Sequence, residues 1–283
     1  MAQRTEEHKR QHYDNGLPEH QAVLDDIERV ARLLRTSRSV LFITGAGISA
    51  DSGLPTYRGR GGIYDGCTTE DGIPIESALS ADTFRKRPEV TWKYIARIES
   101  ASRGRTPNRA HEVIAEMEPL FDRVCVLTQN VDGFHAAAGS TNVIPIHGNL
   151  HDLRCTRCSY RTRVPDYSGL ELPPSCPSCG AVIRPGVVLF GEQLPAYEVE
   201  RLLHELERGF DIVFSVGTTS VFPYIAQPVM RAKARGTPTV EINPETTALT
   251  DVFDFHIAER AAVALEELWR RYRAGHPPNT KGS

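Results

Sequence analysis

Nothing in this sequence approaches the roughly 20 consecutive apolar residues that a membrane-crossing helix needs, and the opening stretch MAQRTEEHKRQHYDN has no apolar core of the kind a secretory signal carries. A cytoplasmic location, with no membrane partner, is therefore expected. Neither sign of charge dominates. The 33 Lys and Arg residues stand against 36 Asp and Glu, a net charge of -3, so there is no bulk attraction to nucleic acid or to an anionic membrane, and direct nucleic-acid binding is not expected. Internal repeats and low-complexity tracts are missing as well. What remains, 283 residues with 40% hydrophobic and 24% charged content, describes a globular chain long enough for one large domain or a large and a small one, and excludes disorder and collagen-like structure.

Cysteine is sparse, and its placement is informative. Of the 6 cysteines, Cys67 and Cys125 stand alone, as in a reducing compartment, while Cys155/Cys158 and Cys176/Cys179 form two tight pairs separated by 17 residues. C-x2-C-x17-C-x2-C is zinc-ribbon spacing. Four thiolates complete a tetrahedral Zn2+ shell with no open position, so one structural ion is expected, holding together a lobe too small to bury enough core by itself. His151 lies close by, but the four cysteines already fill the shell. A thioredoxin-type redox site needs only one pair.

Apolar residues at helical spacing over residues 22–34 lead into SVLFIT at 39–44, a short continuous run of the kind a buried strand shows. Similar runs occur at residues 124–128, 211–216 and 239–242, with helical patterns at 110–117, 197–208 and 261–272. This alternation predicts parallel βαβ units. The predicted fold is α/β, a doubly wound, mostly parallel Rossmann-like sheet made of residues 21–55, 106–147 and 188–274. A smaller lobe would come from a loop and short helices at 56–105 and a zinc ribbon at 148–187. Residues 1–20 and 275–283 read as a flexible arm and tail.

Directly after SVLFIT comes Gly45-Ala46-Gly47-Ile48-Ser49-Ala50, a match to G-x-G-x-x-G/A with a strand before it and a predicted helix start after it. Gly45 permits a tight turn, Gly47 close approach to a pyrophosphate and Ala50 close packing, while N–H groups at a helix start attract the anion. Dinucleotide binding and an unliganded glycine turn both fit this motif.

The glycine loop continues as Asp51-Ser52-Gly53-Leu54-Pro55-Thr56-Tyr57-Arg58-Gly59, and the extended stretch resembles the signature of the sirtuins, NAD-dependent protein lysine deacylases. Four more segments agree in order: Thr128-Gln129-Asn130-Val131-Asp132-Gly133, Ile146-His147-Gly148, the cysteine pairs, and Arg184-Pro185-Gly186-Val187-Val188-Leu189-Phe190-Gly191-Glu192. Gly217-Thr218-Thr219 and Asn243-Pro244-Glu245 are similar to the family's later nucleotide contacts.

The resemblance implies NAD as co-substrate and an acyl-lysine in a protein or peptide as substrate, with nicotinamide and O-acyl-ADP-ribose as products. It implies His147 as the base that activates a ribose hydroxyl, a role that suits an imidazole near its usual pKa of about 6.5. By the same resemblance Asn130 orders the ribose and a water, Gln129 contacts the ribose and Asp132 accepts hydrogen bonds from the nicotinamide amide. Gly45, Ala46, Gly47, Ser49, Tyr57, Arg58, Gly217, Thr218, Thr219, Asn243 and Glu245 complete the cofactor contacts. Val187, Val188, Phe190, Gly191 and Glu192 line a cleft in which an extended peptide adds as a strand. Three departures stand out. Tyr57 replaces the usual phenylalanine, Thr219 replaces serine, and Pro223 comes one residue early, which puts the contacts after Thr219 in doubt.

Tyr94 and Arg97, three apart on a helical face, are similar to the Tyr-x-x-Arg pair of the sirtuin branch acting on negatively charged acyl groups, and predict succinyl- or malonyl-lysine beside acetyl-lysine. Two rival readings remain, mono-ADP-ribosyl transfer to protein and a zinc-ribbon module that senses NAD. The oligomeric state is not readable.

Overall fold

The computed structural model describes residues 17–56 and 68–275. The strands among these residues are β1 (Ser39–Thr44), β2 (Arg123–Thr128), β3 (Val143–Pro145), β4 (Gly148–Cys155), β5 (Arg161–Arg163), β6 (Ile183–Val187), β7 (Ile212–Val216), β8 (Thr239–Ile242) and β9 (Phe255–Ile257). The long helices are α1 (Leu17–Thr36), α2 (Pro88–Ser102), α3 (Arg109–Met117), α4 (Ala196–Arg208), α5 (Pro223–Ala234) and α6 (Ala261–Ala274).

Six strands form one sheet in the order β3-β2-β1-β7-β8-β9, and every neighbouring pair is parallel. The order runs outward in both directions from β1 and β7, so these two strands flank the topological switch point where doubly wound sheets bind ligands. A parallel strand in such a sheet is covered on both faces, which is why its sequence is a continuous apolar run. In β1, Val40 and Phe42 pack with Ile27 and Leu34 of α1, Ile114 of α3 and Leu265 of α6, while Leu41 and Ile43 pack with Leu202 of α4 and Val229 of α5. Phe42 stacks on Phe214 of β7 at 4.9 Å, joining the two central strands.

The second lobe is a three-stranded antiparallel sheet, β5-β4-β6, packed against α2 and the short helices Ile75–Ala78 and Ala81–Lys86. Its core centres on Trp92, which is fully buried, meets Tyr167 edge-on at 5.4 Å and donates its indole N–H to the Ile183 carbonyl at 2.9 Å.

The structure departs from the sequence expectations in four places. Helix α2 is a single helix of 15 residues where short ones were expected, opened by Pro88 in its first turn. Helix α1 begins at Leu17, inside the expected flexible arm. Strands β3 and β9 have three residues each, too few for a periodic signal. Helix α5 carries Pro228 in its interior, which hides its pattern. Among the described residues, no helix is long and apolar enough to cross a membrane.

Candidate active site

The loops that follow β1 and β7 meet at the switch point, backbone against backbone. The Gly45 N–H donates to the Val216 carbonyl at 3.1 Å and the Gly47 N–H to the Gly217 carbonyl at 2.8 Å. A Cβ on Gly47 would stand 2.6 Å from the Gly217 Cα, and one on Gly217 would stand 2.4 Å from the Ile48 nitrogen. The glycines are thus required by the contact between the two loops as much as by any ligand. The helix expected after them is one turn, Ala46–Ser49, continued by a 3-10 turn to Ser52 and ended by Gly53 at φ 80°. Only local backbone N–H groups are available there, without the dipole of a long helix.

Polar side chains from the loop after β2 are tied to this junction. Asn130, 5% exposed, donates through Nδ2 to the Gly45 carbonyl at 3.0 Å and to Ser49 Oγ at 3.1 Å. Ser49 Oγ donates to Asp132 Oδ2 at 2.8 Å, and Asp132 Oδ1 accepts from the Phe134 N–H. Burial pushes the Asp132 carboxyl above the usual range despite these bonds. Gln129 Nε2 donates to Thr218 Oγ1 at 2.7 Å, and Asn243 Nδ2 reaches the Thr218 carbonyl at 3.4 Å. One connected network therefore joins Ser49, Asn130 and Asp132, and a second joins Gln129, Thr218 and Asn243.

His147 sits between β3 and β4, at the junction of the two sheets. Its Nδ1 faces the Gln129 carbonyl at 3.0 Å; a carbonyl only accepts, so Nδ1 carries the proton and Nε2 keeps a lone pair. Burial lowers its pKa below 6.5, so the imidazole is neutral around pH 7. Nε2 meets the Tyr224 hydroxyl at 2.6 Å, a contact that sequence reasoning missed. Its only sequence signal is the early Pro223, which opens α5 and places Tyr224 in its first turn.

A cleft of about 750 Å³ unites these groups: Gly45, Gly47, Gln129, Asn130, His147, Gly217, Thr218, Thr219, Asn243 and Glu245 all line it. The size suits a small-molecule site. A smaller cavity of about 30 Å³ holds Ser49 and Asp132 and shares Ala46, Ile98, Asn130, Val131 and Leu150 with the cleft. Residues 187–192 form one wall, fixed by the Val188 N–H on the His147 carbonyl and by Phe190 bonded to Leu79 and Ala81. The Glu192 carboxylate is already engaged, accepting from Arg184 at 2.6 and 2.9 Å and from the Leu189 N–H at 2.9 Å, so it braces this wall. Tyr57 and Arg58 lie outside the described residues.

The Tyr94–Arg97 pair is placed differently from the sequence expectation. Helix α2 presents Ile95 and Ile98 to the cleft. Tyr94 and Arg97 lie on the adjoining strip of the helix, where the phenol bonds Asp71 at 2.5 Å, Arg97 pairs with Glu70 at 2.8 Å, and the guanidinium lies 5.2 Å over the Tyr94 ring. The physical reason is local: two carboxylates at residues 70 and 71 compete for both polar ends.

The four paired cysteines converge at the tip of the small lobe. Their Sγ atoms all lie within 4.8 Å of one another, with Cys155–Cys179 at 3.5 Å and Cys158–Cys176 at 3.6 Å. A tetrahedral zinc shell with Zn–S bonds of about 2.3 Å needs sulfurs at this kind of spacing, so the cluster fits one Zn2+. The Arg157 and Cys158 N–H groups donate to Cys155 Sγ at 3.3 Å, orienting that ligand.

This arrangement was compared with known proteins. The Sir2 family model matches residues 45–223. The chain is 48% identical to NAD-dependent protein deacylase 2 of Pseudomonas syringae pv. tomato over 85% of its own length and 98% of that protein's. It is 38% identical to NAD-dependent protein deacylase 1 of Archaeoglobus fulgidus, over 87% and 98% of the two chains. The crystal structure of a Sir2 homologue–NAD complex superposes with a TM-score of 0.79 at 36% identity, covering 88% of this chain and 94% of that one. A Sir2–p53 peptide–NAD+ complex gives 0.73 at 28% identity, covering 87% and 97%. The ordered motifs, the switch-point cleft and these relatives lead to one conclusion: the chain belongs to the Sir2 family.

Proposed function

We propose that the protein is an NAD-dependent protein lysine deacylase, which releases nicotinamide and transfers the acyl group to the ribose of ADP-ribose. The observation that carries this reading is the neutral His147, with Nδ1–H anchored on the Gln129 carbonyl and Nε2 turned into a cleft built from both glycine loops and residues 187–192. NAD supplies the nicotinamide leaving group and the ribose hydroxyl that captures the acyl group. In this reading Gly45, Ala46, Gly47, Gly217, Thr218 and Thr219 hold the nucleotide, with Asn243 and Glu245 at its far end. Asn130 and Asp132, reached through Ser49, hold the nicotinamide end. Val187, Val188, Phe190 and Gly191 guide the peptide, and His147 takes the proton at Nε2. Zn2+ on Cys155, Cys158, Cys176 and Cys179 is structural. The test is nicotinamide release from NAD with an acylated peptide: release should require the acyl-lysine and yield an acylated ADP-ribose. Label on the protein or the peptide instead would favour ADP-ribosyl transfer.

For the acyl group, the cleft supports uncharged chains. Leu79, Ile95, Ile98 and Leu150 supply apolar lining, and a carboxylate buried against these four described residues would lose hydration and gain no hydrogen bond from them. On one peptide carrying each acyl group in turn, acetyl-lysine should be preferred over succinyl-lysine by about tenfold or more in kcat/KM. Arg97→Met should change either value by no more than about twofold, because that guanidinium is engaged with Glu70. The charged-acyl reading has one observation in its favour. Arg97 is 50% exposed in a solvent-screened pair, so a substrate carboxylate would compete with Glu70 on equal terms. A succinyl preference that Arg97→Met abolishes, with deacetylation intact, would establish that reading instead.

A further inference from the structure

The base in the cleft already has a hydrogen-bond donor. With the Nδ1 proton committed to the Gln129 carbonyl, Nε2 has one lone pair, and the Tyr224 hydroxyl donates to it at 2.6 Å, toward the short end of the hydrogen-bond range. The phenol ring is held on several sides. Pro223 fixes the first turn of α5, Phe222 stacks on the ring at 5.4 Å with 14° between the planes, and the imidazole meets it edge-on at 5.8 Å and 82°. All three rings line the cleft. For a substrate hydroxyl to take Nε2 directly, the phenol would have to leave its stack on Phe222.

We propose that Tyr224 is a catalytic partner of His147, carrying the proton of the attacking ribose hydroxyl to Nε2. The inference rests on the deacylase reading, which places that hydroxyl in the cleft. A lone pair of the hydroxyl oxygen forms the bond to the acyl carbon, the π pair of that carbon's double bond withdraws onto the atom it joins, and the hydroxyl's proton goes to the phenol oxygen, its O–H pair staying on the attacking oxygen. The phenol's own proton passes at the same time to Nε2. Tyrosine ends as it began, neutral and protonated, and imidazole ends as imidazolium. A hydroxyl suits this position because it donates and accepts at one atom.

Tyr224→Phe removes only the oxygen and keeps the ring in its stack. Deacylation kcat should fall by about ten- to a hundredfold. Acyl-peptide-dependent exchange of labelled nicotinamide into NAD, which precedes the step the base serves, should stay within about twofold of wild type. Adding His147→Ala should slow deacylation no further than His147→Ala alone, as expected for two groups on one proton path. In the ligand-free protein, the nitrogen-15 resonance of His147 Nε2 should move toward that of an unbonded imidazole nitrogen. Retained or faster deacylation by Tyr224→Phe, equal losses in exchange and deacylation, additive losses in the double variant, or an unmoved resonance would each overturn the proposal. Full deacylation by His147→Ala would instead sink the assignment of the base, so the two failures are distinguishable.

Discussion

Replacing His147 with alanine should lower deacylation by about 10²- to 10⁴-fold, the range in which a positioned general base contributes. Thermal unfolding and bound zinc should be nearly unchanged. The imidazole meets Phe222 and Tyr224 edge-on and lines the cleft, so its loss enlarges a space that already exists. Nicotinamide exchange should survive in the variant, since the leaving group departs before the base is needed. The pH dependence has a definite sign. Burial lowers the His147 pKa below 6.5, so the active neutral form persists as pH falls through 6.5, and the acid limb of kcat/KM should lie below that value. Wild-type turnover by the purified, metal-replete variant, or an acid limb above pH 6.5, would contradict the role assigned to this residue.

Removing zinc should abolish activity through structure. Metal-free zinc modules lose binding free energy of about 10–16 kcal/mol, which for a lobe of this kind is folding free energy. The damage has a route to the cleft. Strand β4 begins beside His147 and ends at Cys155, and β6 leads from Ile183 into the cleft wall at Val187 and Val188. Leu150, Leu153, Cys155, Cys176, Ile183 and Val187 share one core with Trp92 of α2. Trp92 and Trp269 are the chain's two tryptophans, and Trp269 belongs to the large domain. In a Trp269→Phe background, chelation should therefore shift Trp92 fluorescence to the red as its fully buried ring is exposed. Retained activity with an unchanged melting curve, after verified zinc removal, would show that the lobe stands without metal.

Much of the fold was legible because local pattern and tertiary role coincide. The run 39–44 reads as a buried strand and is one, since a parallel strand covered on both faces must be apolar throughout. The cysteine spacing led to the metal cluster for a similar reason: ligands within a C-x2-C pair are held together by the chain itself, and only the meeting of the two pairs needs the fold. Strands β3 and β9 were invisible because three residues support no period, and α5 because an interior proline breaks the propensity without breaking a packed helix. The reason for the glycines was only half legible. A ligand motif was readable at Gly45 and Gly47, but the contact with Gly217, about 170 positions away along the chain, was not.

Sequence by itself determined the α/β class, the four cysteines that could hold a metal ion and the order of motifs that resembles the sirtuins, because each depends on residues close in the chain or on periodicity within one element. Tertiary structure decided three things that no spacing encodes. It set Tyr94 and Arg97 against Asp71 and Glu70 on a strip of α2 beside the one that faces the cleft, it committed Glu192 to Arg184, and it brought Tyr224 onto His147 from 77 residues away. Side-chain partners are settled by which charged and hydrogen-bonding groups the packing delivers to the same few ångströms, and that competition is resolved only when the distant elements meet.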